Sequence, residues 1–360
     1  MVIIVTKLIL LFVIALTIAL ILTPFVKKLA IRWGVIDKPN HRKVHIRTMP
    51  RLGGLAIFVA FLASYLLITP KSDITWGILA GAVIIVIIGA LDDKFQISPK
   101  LKLLGQLIAA IVVVASGLKI EFINLPFEGV LPFYWLSVPI TIIWIVGITN
   151  SVNLIDGLDG LAAGVSAIAT GTIFVVALMM GNEEVSFLSA ALLGATIGFL
   201  FYNFYPAKIF MGDTGALFLG FMLASMSILG FKYVTLFAFI MPILILGVPI
   251  SDTFFAIIRR WVNKKPIYEA DKNHLHHRLL QLGLSHRQTV ILIYGISMIF
   301  GISAIFFNQA TLWGAIGILG LLIFALELGA EAIGLVGKTH RPIINSVQKV
   351  INKQDEKQNL

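Results

Sequence analysis

Eleven runs of about 20 mostly apolar residues, separated by charge, proline or Asn/Gly clusters, constrain this chain more than any other feature. They lie at 3–25, 52–69, 74–91, 101–118, 133–150, 160–180, 185–202, 215–231, 234–258, 289–307 and 311–333. A helix of that length crosses the ~30 Å hydrocarbon core of a bilayer and pairs its own backbone polar groups there. The expected fold is an all-α polytopic membrane protein with about 11 transmembrane helices. One transmembrane domain covers 1–335, and a polar tail covers 336–360. Composition agrees: of 360 residues, 58% are hydrophobic and 13% charged, about half the charge of an ordinary soluble domain. The first run exceeds a signal-peptide core, lacks a small-residue cleavage site and precedes a basic loop, so it is expected to stay as an anchor.

Threading 11 spans alternately sorts the basic residues between two membrane faces. One face receives 24 of the 28 Lys and Arg residues, in 27–51, 92–102, 208, 259–288 and the tail; the other receives Lys7, Lys71, Lys119 and Lys232. Basic loops stay in the cytoplasm, which predicts an external N-terminus and a cytoplasmic C-terminus. The formal net charge of +10 therefore belongs to one membrane face and does not describe a nucleic-acid binder. With no cysteine, thiolate chemistry, disulfides and Cys-ligated metals are excluded. Among the external connections only 119–132 is long, and Ile120, Phe122 and Val130 around Pro and Gly predict a small hairpin there.

The basic face also carries acids and amides. Asp92 and Asp93 end the third span, followed by Lys94, and Lys100 and Lys102 open the fourth. Adjacent carboxylates repel unless a cation or proton lies between them, which suits a metal neighbour or a general base; the lysines suit phosphate. In Asn153-Leu-Ile-Asp156-Gly157-Leu-Asp159-Gly160 the polar side chains recur every third residue. A helix would stack them on one face, and the glycines admit a ligand close to the backbone. Asn and Asp oxygens suit a hard cation such as Mg2+, which keeps waters and shares substrate phosphates; Asn150 adds another polar group. In Phe210-Met-Gly-Asp213-Thr-Gly, Asp213 reads either as a helix N-cap or as a ligand, and Phe210 either as interfacial packing or as a platform for a base.

The largest loop on this face carries His274-Leu-His276-His277-Arg278 after Asp271 and before His286. Adjacent His residues without a well-spaced further ligand make a poor structural zinc site; groups that donate to phosphate oxygens fit better. A second basic strip runs from His41-Arg-Lys-Val-His45 to Arg51-Leu-Gly-Gly54. Pro242, Gly247, Pro249 and Asp252 interrupt the ninth span and predict a bent or broken helix lining protein or a cavity. Glu327 and Glu331 lie one turn apart in the last span, with no role evident from the sequence.

In this order between 11 spans, Asp92-Asp93, Asn153–Gly160, Phe210–Asp213 and His274–Arg278 resemble the polyprenyl-phosphate N-acetylhexosamine-1-phosphate transferase family, glycosyltransferase family 4, over nearly the whole chain. The resemblance implies an enzyme of the bacterial plasma (inner) membrane, with a cytoplasmic active site. Such an enzyme passes a phosphosugar from a UDP-N-acetylhexosamine to a lipid phosphate, using Mg2+ or Mn2+ and releasing UMP. It implies that Asp213 and Asn153 hold the metal and that Asp159 and Phe210 read uracil. Asp92, Asp93 and Asp156 form the expected catalytic group: Asp92 deprotonates or orients the lipid phosphate, Asp93 lies near the metal or Lys100, and Asp156 is a nearby polar contact. His274, His276, His277 and Arg278 would engage the diphosphate or sugar. The His-x-His-His-Arg text resembles the UDP-GlcNAc branch rather than the Pro-containing triple-His loop of the UDP-MurNAc-pentapeptide branch. That implies UDP-GlcNAc and undecaprenyl phosphate as substrates, membrane lipid as surroundings, no nucleic acid, and a homodimer, the common assembly of relatives.

A secondary transporter would also use intramembrane acids and a broken helix. It should show repeat symmetry and midplane charges, whereas here the acids gather at one membrane edge and only Asp252, Glu327 and Glu331 lie deeper.

Overall fold

A computed structural model describes residues 2–37, 48–68, 72–124, 129–231, 236–262, 264 and 273–335. His41, Arg42, Lys43 and His45 of the first basic strip, Asp271 and the tail 336–360 lie outside the described residues. The chain opens with α1 (Val2–Arg32), a strand pair β1 (Ile36–Asp37) and β2 (Met49–Pro50), then α2 (Gly53–Ile68), α3 (Asp73–Phe95) and α4 (Pro99–Ala115). A hairpin of β3 (Phe122–Asn124) and β4 (Val130–Pro132) precedes α5 (Ser137–Ile155), α6 (Leu161–Met179), α7 (Glu183–Asn203) and α8 (Gly212–Phe231). The remainder is α9 (Leu236–Ile245), α10 (Gly247–Val262), the short α11 (Leu275–Gln281), α12 (His286–Gln309) and α13 (Leu312–Ile333).

Each expected apolar run lies on helix. Eight helices (α1, α3, α5, α6, α7, α8, α12 and α13) are long and apolar enough to cross a membrane by length and composition. The other three runs fall on α2 and α4, of 16 and 17 residues, and on the α9–α10 pair. The protein is an all-α polytopic membrane protein. Helix starts follow side-chain capping: Ser72, Ser98, Asn182, Ser285 and Thr311 each accept a backbone N–H of the first turn, and Ser285 with Gln288 completes a capping box. The ninth run is broken, as its sequence predicts: α9 stops at Ile245 and α10 restarts at Gly247. Pro249 then lies in the first turn of α10, where no N–H is needed. The hairpin expected within 119–132 is also present, antiparallel, pairing Phe122 with Pro132 and Asn124 with Val130.

The bundle is built around α8, which is 94% buried across its most apolar window, against 11% for α13. Around α8 pack α2, α3, α5 and α6, while α1 lies along α7. Close approach there depends on small residues: a side chain at Gly194 or Gly198 would strike the α1 backbone at Phe12 or Leu16, the packing that membrane helices favour. At one end of the bundle, antiparallel pairing of Ile36 with Pro50 and Asp37 with Met49 returns the chain beside α1 and presents Arg51 to the ends of α3 and α8.

Candidate active site

The last turn of α3 meets the first turn of α8 through Asp93. Its Oδ1 accepts the Asp213 N–H and Arg51 Nε, both at 2.9 Å. Its Oδ2 accepts the Thr214 N–H at 3.0 Å and the Thr214 hydroxyl at 2.6 Å. A carboxylate offers about four acceptor positions, and all are in use. Asp93 thus supplies from another helix the cap that the first N–H groups of α8 require. Gly212 has φ +69°, and a side chain there would collide with the Asp93 carboxylate, so glycine is required on both counts.

Arg51 is held by its backbone between two segments. Its N–H donates to Val35 O at 3.1 Å, Phe210 N–H donates to Pro50 O at 2.9 Å, and the Gly53 and Gly54 N–H groups donate to Phe210 O and Met211 O at 3.0 and 2.8 Å. Its guanidinium then bridges Asp93 and Asp213, with Nη2 3.0 Å from Asp213 Oδ1. On the opposite side Lys102, from the first turns of α4, pairs with Asp213 Oδ2 and lies 2.9 Å from Asp92 Oδ2. A continuous relay of charge results: Asp93, Arg51, Asp213, Lys102, Asp92. Lys100 does not join it; two residues earlier on the same helix, it is exposed.

The Asn153–Gly160 run departs from the expected single helical face. Helix α5 ends at Ile155, Asp156 caps it with ψ 63°, and Asp159 lies in the following turn. Gly157 and Gly160, the latter at φ +77°, stop the helix, and Asp favours turns over helix interiors. Asn153, on the last turn of α5, is half-buried. Asp159 Oδ2 instead accepts the Ala207 N–H at 2.9 Å, tying the turn to the Phe210 loop. Phe210 is half-buried in that loop. Tyr294 of α12 donates its hydroxyl to Gly160 O at 2.5 Å, its ring filling the notch left by Gly164.

The His274–Arg278 segment faces this turn. A side chain on Gly157 would strike His276 Nε2, and that nitrogen, in a residue 3% exposed, has no hydrogen-bond partner among the described residues. His274 is buried, His277 half-buried with its ring 4.1 Å from that of His276, and half-buried Arg278 reaches Gln281. Burial first, then the neighbouring His277, pushes the His276 pKa down to about 3, so the ring is neutral at pH 7. Near the turn, His286 packs on Tyr205 with ring centroids 4.6 Å apart.

Burial, then the nearby charge of Asp213, raises the Asp156 pKa to about 7. Burial alone would lower that of Arg51, but Asp93, Asp213, Asp37 and Asp156 outweigh it and hold it above its ordinary value. Four carboxylates, Asp92, Asp93, Asp156 and Asp213, meet only two cations among the described residues of this cluster, Arg51 and Lys102. Among the described residues no three acidic or imidazole groups form a metal cage. Mg2+ does not need one: it keeps waters and binds through one or two carboxylates plus substrate phosphates. The oxygen donors and the surplus of carboxylates over cations fit such an ion.

Three contributors carry no site role in the sequence reading, Arg51 among them as part of the second basic strip; Lys102 and Lys100 are offered together as phosphate-suited lysines, and packing decides that Lys102 faces the acids. Asp252 was visible as an acid inside an apolar run, and Tyr294 gave no signal.

Fold and site together describe a multi-pass membrane protein with a cluster of interlocked acids and cations at one end of its bundle. Residues 75–231 match the family described as Glycosyl transferase family 4. The chain is 49% identical over 346 residues to a probable undecaprenyl-phosphate N-acetylglucosaminyl 1-phosphate transferase of Bacillus subtilis, covering 95% of this chain and 96% of that one. It is 36% identical over 336 residues to a decaprenyl-phosphate N-acetylglucosaminephosphotransferase of Mycobacterium tuberculosis, covering 82% and 83%. A phospho-N-acetylmuramoyl-pentapeptide-transferase of Halalkalibacterium halodurans is 33% identical over 321 residues, covering 83% and 95%. The chain belongs to glycosyl transferase family 4, and the transporter alternative is set aside.

Proposed function

We propose that this protein transfers N-acetylglucosamine 1-phosphate from UDP-GlcNAc to undecaprenyl phosphate, giving undecaprenyl-diphospho-GlcNAc and UMP. The observation that carries the reading is the 49% identity with the Bacillus subtilis protein over 95% of the chain. The membrane-edge cluster of carboxylates with Arg51 and Lys102 supports it. Phosphoryl transfer asks for in-line positioning and neutralised phosphate charge. Asp213 and Asn153 would hold Mg2+ or Mn2+, which when bound neutralises charge on the diphosphate oxygens. Asp92, paired with Lys102, orients the lipid phosphate and takes its proton, while Lys102 and Arg51 offer donors to phosphate oxygens. Asp93, saturated by hydrogen bonds, organises the loop; Asp156 lies beside the diphosphate. Asp159 and Phe210 frame the uracil, and His274, His276, His277 and Arg278 meet the diphosphate or sugar.

The same reading places the site at the cytoplasmic face of a bacterial plasma membrane, with the N-terminus outside and membrane lipid around a homodimer; the 24-to-4 sorting of basic residues supports the orientation. Purified protein given undecaprenyl phosphate, Mg2+ and a panel of UDP-sugars is expected to release UMP fastest with UDP-GlcNAc. Release with UDP-MurNAc-pentapeptide alone would move the chain to the other branch, and no release with any UDP-N-acetylhexosamine would sink the assignment.

A further inference from the structure

Asp252 is an acid on the mostly apolar α10, 3% exposed, where an unpartnered carboxylate is costly. Both of its oxygens are engaged by one segment. Oδ2 lies 2.8 Å from His274 Nδ1, and Oδ1 accepts the Leu275 N–H at 2.7 Å. Leu275 opens α11, so this bond satisfies an N–H that the helix itself leaves without an acceptor. A carboxylate oxygen is an acceptor, so the contact closes as a hydrogen bond in the tautomer with the His274 proton on Nδ1, which turns Nε2 toward the rest of the ring's surroundings. The His274 ring lies parallel to that of His276, centroids 6.2 Å apart at 6°, and His276 reaches the Asp156-Gly157 turn. Asp252 lies on α10 just over one turn past the restart at Gly247 and meets this loop through both oxygens.

We infer that Asp252 is a positioning residue for the phosphosugar transfer: through its paired bonds it fixes the tautomer of His274 and seats the His274–Arg278 segment over the Asp156-Gly157 turn. The inference rests on the transferase reading above. A purely structural Asp252 would serve only to cap α11, and substitution separates the two roles. In Asp252→Asn the amide oxygen still accepts the Leu275 N–H. The amide nitrogen, however, is a donor, which obliges His274 to accept at Nδ1 and carry its proton on Nε2. Cap and shape survive while the tautomer reverses.

The expected result is a kcat for UMP release lowered by about 10–100-fold, the scale of lost orienting partners. KM for UDP-GlcNAc should stay within about twofold, with an unchanged melting temperature. Made in a His274→Ala background, the same substitution should lower kcat no further. Asp252→Glu, which keeps a carboxylate acceptor, should retain more activity than Asp252→Asn even if the longer side chain costs Glu some stability. Wild-type kcat in Asp252→Asn, an equal fractional loss in both backgrounds, or Asn outperforming Glu would each overturn the inference. A wild-type protein that releases no UMP overturns the transferase reading and this inference with it. An active wild type with an indifferent Asp252→Asn overturns the inference alone.

Discussion

At the residue scale, neighbouring carboxylates carry different work because their acceptor positions are filled differently. Asp93 has four donors and Asp213 two cations. Asp93→Asn would turn one accepting atom into an NH2 group facing either Thr214 or Arg51, donor against donor. We expect it to cost roughly 2–3 kcal/mol, read as a lowered melting temperature in detergent. Asp213→Asn keeps the fold but is expected to abolish Mg2+-dependent turnover, since its charge is assigned to the ion; full activity in that variant would remove Asp213 from the metal site. The sequence showed that these acids cluster but not how they divide the work, because hydrogen-bond saturation depends on partners 42 to 162 residues away. Lys100 and Lys102 illustrate the same limit. They differ only in helix phase, and the packing of α4 against α3 decides which one points inward.

At the scale of elements, the apolar runs were legible because length and apolarity are local properties, and the ninth run announced its break through Pro and Gly. The Asn153–Gly160 run misled because its three-residue spacing imitates a helix, while Gly160 at φ +77° ends it. What holds that turn is α12. Tyr294→Phe removes the bond to Gly160 O, for an expected loss of about 0.5–1.5 kcal/mol and slower UMP release from folded protein. The same turn receives His276, whose folded pKa of about 3 lies below the ~6.5 of an unfolded histidine. Folded protein therefore refuses a proton that the unfolded chain accepts, and stability is lost as pH falls through 6.5 toward 3. Between pH 7.5 and 5 the wild type should lose more melting temperature than His276→Gln, measured side by side; equal losses would show that the ring is protonated without penalty.

For the whole molecule, the absence of cysteine makes each introduced thiol the only one, so orientation can be read directly. A cysteine at Lys119, beside the external hairpin, should react with an impermeant maleimide in intact cells, and one at Lys208 only after the membrane is opened. The reverse pattern would invert the topology and put the site outside. The charge relay also has a consequence for synthesis. Asp92 and Asp93 leave the ribosome well before Asp213, the α8 N-terminus and Tyr294, yet they stand at the end of an apolar helix. Until those later segments arrive, Arg51 and Lys102 are the members of the relay already made that can pair with them. The order of translation thus places a positive guard on either side of the acids before the helix that completes their surroundings exists.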